Sequence, residues 1–145
     1  MAKISPVNTM VKSSKIIRVT AAIIESGDKI LIAQRKSEDD LFGGLWEFPG
    51  GKVIKNESIK SCIKREIMEE LNIKVDVADF IVKVKHKYSH FGITLYAHHC
   101  FYKDGNIQCI SADDWKWISL PSISKYAFPK ANHYIFPHIL QSEVA

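Results

Sequence analysis

The apolar residues of this chain repeat with a period of two at first, then with a helical period, then with a period of two again. Residues 16–24 are β-branched and apolar and predict a strand. Gly27-Asp28 marks a turn, and residues 29–34 alternate as the partner strand of a hairpin. Residues 37–44 form an acidic, glycine-containing loop, and residues 46–53 predict short strands around the pair Gly50-Gly51. From residue 58 to 71 the period changes. Ile63, Ile67 and Leu71 recur at i, i+4 and i+8, which predicts an amphipathic helix. Residues 73–84 and 93–102 return to strand character and are joined through residues 86–92. Asp104-Gly105 is a turn signal, and residues 115–118 predict a short strand. Pro121 and Pro129 bound an irregular stretch. Residues 132–140 predict a closing helix, with Pro137 as a kink or break in it. The expectation is a mixed α+β fold: a single domain over residues 16–145, preceded by a flexible arm over residues 1–15.

The length of 145 residues allows an adequate core. No apolar run approaches the ~20 residues that cross a bilayer, and the polar start of the chain lacks the apolar stretch of a secretory signal. No membrane partner is therefore expected. The three cysteines are widely spaced with no CxxC pair, so zinc and iron–sulfur sites find no support, and reduced thiols with a cytoplasmic location are the default. The net charge of +4 suits a polyphosphate ligand. It falls short of the dense basic stripe that stable nucleic-acid binding requires.

The polar side of the predicted helix changes the picture. Glu66, Glu69 and Glu70 share one face, roughly a quarter turn from the apolar stripe. Three crowded carboxylates repel one another unless a cation sits among them. A hard divalent ion with oxygen ligands is the natural one, and Mg²⁺ works mostly where substrate phosphates complete its shell. A solvated face with Lys55, Lys60 and Lys64 as salt-bridge partners is the bland alternative. The flanking residues weigh against it. Gly50-Gly51 lets backbone approach a ligand closely, and Glu57 stands near the helix start, where the dipole favours a carboxylate.

With these residues in view, the segment from Gly51 to Ile73 resembles the Nudix box, G-x5-E-x7-R-E-U-x-E-E-x-G-U, where U is a bulky aliphatic. Gly51, Glu57, Arg65, Glu66, Ile67, Glu69, Glu70 and Ile73 match at every spacing. Asn72 replaces the second glycine. That position follows the helix, where a left-handed residue is common and Asn is the usual second choice. The GLWEFPGGK segment and Phe128-Pro129-Lys130-Ala131-Asn132 are similar to MutT-type Nudix enzymes, whose F-P-x-A-N asparagine reads an oxidised purine. Residues 86–99 also look like the C-terminal domain of adenine glycosylases that repair oxidised guanine mispairs.

The resemblance implies an α/β/α sandwich around a mixed sheet, and hydrolysis of a nucleoside triphosphate by water attack on a bridging phosphorus. It implies Glu69, Glu70 and the Gly50 carbonyl as ligands of Mg²⁺, with Mn²⁺ as an alternative. Glu66 would ligate a second ion or orient and deprotonate the water. Arg65 would pair with Glu57, or alternatively touch phosphate. A further acid from a later loop is expected near Ser111, with Asp113 or Asp114 as candidates and a plain turn as the alternative. For the base, Asn132 is the main candidate, since an amide both donates and accepts; an N-cap is its structural alternative. Phe48 and Phe128 would pack on the base or in the core. Arg35 and Lys36 would meet phosphate or base, and His90 would inspect the base. The other five histidines lack metal-like convergence. The expected activity is conversion of 8-oxo-dGTP to 8-oxo-dGMP and pyrophosphate, which avoids mutation. Alternatives are a CTP or modified-pyrimidine triphosphate substrate, or a non-catalytic reader of oxidised guanine. A monomer and a homodimer are both open.

Overall fold

A computed structural model describes residues 15–39 and 41–144, with side chains described up to residue 140. The expected N-terminal arm lies outside the described residues, apart from Lys15. Six strands form a mixed sheet. Strands β1 (Ile16–Ser26) and β2 (Lys29–Arg35) are followed by the short β3 (Trp46–Glu47). The long α1 (Ile59–Leu71) leads into β4 (Lys74–Lys87), β5 (Gly92–Asp104) and β6 (Ala112–Ser119). A 3-10 turn (Leu120–Lys125) precedes the short α2 (Lys130–His133) and the closing α3 (Phe136–Val144). No helix among the described residues is long and apolar enough to cross a membrane.

The strand order is β3-β2-β1-β5-β4, with β6 on the other side of β2. β1 and β5 run parallel from Ile16↔Gly92 to Glu25↔Phe101, and the remaining pairs are antiparallel. Successive β1 residues point to opposite faces, and both faces are covered. Ala21 and Ile23 join a core with Phe48, Phe128, Ile135 and Ile139 on the side of α2 and α3. Ala22 and Ile24 join Ile63, Ile67 and Leu71 on the side of α1. The sheet is thus sandwiched between helices, which explains the near-continuous apolar run in β1.

Two features depart from the expected outline. The β1–β2 hairpin pairs only at Glu25↔Ile30 and Ser26↔Lys29, and the strands then separate. The segment after β3 occupies the opening. Ala22 N–H bonds Pro49 O (2.8 Å), Thr20 N–H bonds Gly51 O (2.8 Å) and Val53 N–H bonds Arg18 O (3.0 Å). Pro137, expected to kink or break a single closing helix, stands in the first turn of α3, and the chain turns at Tyr134 and Ile135 just before it. Proline has no N–H to give and fits a first helical turn, so it starts the second helix instead of bending one long one.

Candidate active site

Helix α1 is defined at both ends by its own residues. Ser58 caps it, its hydroxyl accepting the N–H of Ser61 at 3.1 Å. Asn72 closes it in the left-handed conformation (φ 60, ψ 35), and its N–H bonds Met68 O. The apolar stripe of Ile63, Ile67 and Leu71 is fully buried, which fixes the rotation of the helix and turns Glu66 and Glu70 toward the wedge of the glycine loop beside β1.

Gly50 and Gly51 are both required there, for different reasons. A Cβ on Gly50 would stand 2.1 Å from the backbone oxygen of Thr20, whereas one on Gly51 would stand 2.3 Å from the Glu66 carboxyl carbon. The loop therefore lies directly on strand β1 beneath and on Glu66 beside it. Arg65 ties the assembly together. It donates to Glu57 at 2.6 and 2.9 Å, to Glu66 at 2.8 Å, to Glu69 at 3.1 Å and to Lys52 O at 3.0 Å. Glu57 precedes the helix cap and also accepts the Ile54 N–H at 3.1 Å. Arg65 holds the Glu57 carboxyl down at about 2, and the surrounding carboxylates raise the Arg65 guanidinium in turn.

The acids deeper in the wedge behave in the opposite way. Glu70 is pushed up to about 9, first by burial and then by the charges of Glu47 and Glu66, against the opposing effects of the Gly50 N–H and Arg35. Burial raises Glu47 as well, while Arg35, at 3.3 Å, pulls it down. Glu47 was not among the acids picked out from the sequence. It occupied an ordinary strand position, and the only signal was its place two residues before Pro49 and the glycine pair. The candidates Asp113 and Asp114 are engaged elsewhere. Asp113 accepts the N–H of Ser37 at 3.1 Å, and Asp114 accepts the N–H of Trp115 at 2.8 Å.

The donor chemistry fits a hard divalent cation. Glu47 and Glu66 both push Glu70 up by their charge, and such crowding of oxygen donors is relieved by positive charge. Among the described residues, no set of three Asp, Glu, His or Cys side chains is already arranged to enclose a metal ion; Arg65 engages Glu66 and Glu69 instead.

A cavity of about 490 Å³ opens beside this cluster, within the range of small-molecule sites. Gly50, Gly51, Arg35, Phe48 and Asn132 all line it. Asn132 is 8% exposed, and its Oδ1 faces the N–H of Phe48 at 3.5 Å. It lies inside α2 and not before it, so the N-cap alternative does not apply; Pro129 holds that position. Tyr88, Phe91, Leu41 and Phe42 complete an apolar wall that sequence reasoning did not pick out.

Three of the substrate candidates stand outside this cavity. Phe128 packs in the core against Phe48 (5.2 Å) and Phe136 (5.1 Å). Lys36 lines a separate cavity of about 340 Å³ with Arg35, Glu47 and Glu70. His90 is exposed in the β4–β5 turn, between the lining residues Tyr88 and Phe91. Of the other five histidines, His98 meets Ala78 O, His99 meets Glu25 and His133 meets Phe128 O.

A sheet covered on both faces, an acidic helix and a glycine loop against that helix define the Nudix class of hydrolases. Residues 19–138 match the NUDIX domain family, and the chain belongs to it. The chain is 37% identical over 118 residues to the CTP pyrophosphohydrolase of Escherichia coli K12, covering 81% of this chain and 87% of that protein. It is 31% identical over 135 residues to the 8-oxo-dGTP diphosphatase of Buchnera aphidicola subsp. Schizaphis graminum, covering 90% and 97%. The solution structure of the E. coli ORF135 protein superposes with a TM-score of 0.77 at 34% identity, over 90% of this chain and 93% of that one. The MutT protein of Methanosarcina mazei Go1 shares the fold with a TM-score of 0.80 at 22% identity, over 90% and 96%.

Proposed function

We propose that this Nudix hydrolase is a Mg²⁺-dependent nucleoside triphosphate pyrophosphohydrolase whose preferred substrate is 8-oxo-dGTP. The observation that carries the base assignment is Asn132, an amide almost wholly buried in the wall of the 490 Å³ cavity beside Phe48. A buried amide brings two donors and an acceptor to a purine edge, and its oxygen also accepts from the Phe48 N–H. Phe48 lies against the cavity and presents an apolar surface to the base, while Phe128 supports Phe48 from the core.

In this reading Glu66, Glu69, Glu70 and the carbonyl of Gly50 hold the cation. At that place the cation would supply charge neutralisation for the phosphates and a lowered pKa for the attacking water. Glu66 orients that water and accepts its proton. Water oxygen bonds to a phosphorus of the α–β anhydride, the bond from that phosphorus to the bridging oxygen breaks, and the monophosphate and pyrophosphate leave. Glu57 and Arg65 hold the helix against the loop of residues 50–53, keeping Glu66 in register. Arg35 sits at the boundary of both cavities and meets the phosphates.

A second reading, hydrolysis of CTP or a modified pyrimidine triphosphate, draws on the name of the 37% identical relative. A nucleotide panel with Mg²⁺, ranked by kcat/KM over 8-oxo-dGTP, dGTP, CTP and 5-methyl-dCTP, separates the two. The oxidised purine is expected to rank first, and CTP in first place would install the second reading. Asn132→Ala is expected to raise KM for the oxidised purine more than for a pyrimidine nucleotide. Equal effects on both would remove Asn132 from base recognition.

A further inference from the structure

The short helix that carries Asn132 begins without a side-chain cap of its own. Pro129 is its N-cap residue and has no side-chain oxygen to offer the first-turn N–H groups. Asn132 N–H reaches back to Pro129 O at 3.0 Å. Ala131 N–H instead finds the phenolic oxygen of Tyr88 at 3.0 Å, across 43 residues of chain. Tyr88 thus supplies from another element the acceptor that Ser, Thr, Asp or Asn supplies in an ordinary cap.

Its ring is held on several sides. It packs on Phe91 at 5.3 Å within the β4–β5 turn, on His86 at 4.6 Å and on Phe42 at 5.0 Å. The turn is closed by Tyr88 N–H to Phe91 O at 2.7 Å. Phe42 has a φ of 63, a conformation that bulky residues rarely adopt and that persists only where the surroundings impose it. His86 also reaches Tyr134, just after the helix, at 5.6 Å. Tyr88, Phe42 and Phe91 face the same cavity as Asn132.

We propose that Tyr88 is a positioning residue for base selection: its hydroxyl caps α2 in trans and so sets the angle at which Asn132 meets the base. This rests on the reading that Asn132 contacts the base. The β4–β5 turn thereby becomes a determinant of which nucleotide is preferred, although it is remote in sequence from both the acidic helix and Asn132.

The test is a double-mutant cycle of Tyr88→Phe and Asn132→Ala, with KM and kcat measured for 8-oxo-dGTP and CTP. Tyr88→Phe keeps the ring and removes the acceptor. It is expected to raise KM for the nucleotide that Asn132 favours roughly fivefold, the loss of about one neutral hydrogen bond. The expected kcat is nearly unchanged, and the ratio between the two substrates shifts. In the Asn132→Ala background the same change is expected to leave that ratio where Asn132→Ala put it. If Asn132→Ala shifts the ratio while Tyr88→Phe does not, or the two effects simply add, the capping role falls and the base-pocket reading stands. If Asn132→Ala shifts nothing, the base-pocket reading falls and the capping role with it. A readout on the unaltered protein is independent of any variant: Ala131 N–H is expected to be protected from amide exchange despite its place in an uncapped first turn. Exchange at the rate of an open amide would overturn the capping role.

Discussion

The two glycines of the site separate stability from chemistry at single positions. At Gly50 the atoms that a Cβ would strike are the backbone of Thr20 and Ala21, in the middle of β1. Neither side can yield without moving the strand or the loop. Gly50→Ala is therefore expected to cost about 2–3 kcal/mol of stability, seen as a lowered melting temperature. At Gly51 the obstruction is the free end of the Glu66 side chain, which can swing aside with the fold intact. Gly51→Ala is expected to leave the melting temperature almost unchanged and lower kcat roughly 100-fold, the scale of a small misplacement of a catalytic group. A Gly51→Ala protein with normal turnover would show that the observed place of Glu66 is not the working one. Adjacent, chemically identical positions thus give opposite outcomes, and the sequence could mark the pair as close approaches without showing what approached.

At the scale of elements, α1 was legible because its causes are local. Its apolar stripe, its cap at Ser58 and its left-handed close at Asn72 all lie within or beside the helix. The asparagine that breaks the motif occupies φ 60, where glycine carries no Cβ penalty. Asn72→Gly is accordingly expected to keep or slightly raise the melting temperature. Asn72→Ala is expected to lower stability by about 1 kcal/mol, a shift of roughly 3 °C. Equal melting temperatures for the two variants would mean that the left-handed close does not hold in solution. Features that depend on distant residues were not legible. The early separation of β1 from β2 depends on residues 49–53 pairing with β1, and no periodicity within either strand announces it. Glu47 looked like any strand residue because its neighbours Arg35 and Glu70 come from β2 and α1. Tyr88 was masked in the same way, its hydroxyl partner being 43 residues away.

For the whole molecule, the acidic wedge couples folding to pH and to the cation together. The folded state holds Glu70 at about 9 against an ordinary value of 4.5. Between those values the folded protein binds a proton that the unfolded chain has released, so stability falls as pH rises through the window. Glu47, also raised, acts in the same direction. Glu57 has the opposite sign. Its contribution is fully present above 4.5 and is lost only as pH falls toward 2, so it does not vary within the window. A divalent cation held by Glu66, Glu69, Glu70 and the Gly50 carbonyl would favour the charged form of Glu70 and cancel the penalty. It would also stabilise the fold by mass action, about 2.7 kcal/mol at a hundredfold excess over Kd. The rise in melting temperature on adding MgCl₂ is therefore expected to be small near about pH 5.5, where the cation must displace a proton, and larger near about pH 8.5. Glu70→Gln should flatten this dependence, because the group that holds the proton is gone. An equal Mg²⁺ increment at both pH values, or one untouched by Glu70→Gln, would mean that the cation binds away from the wedge. The crowding of Glu70 would then reflect packing alone.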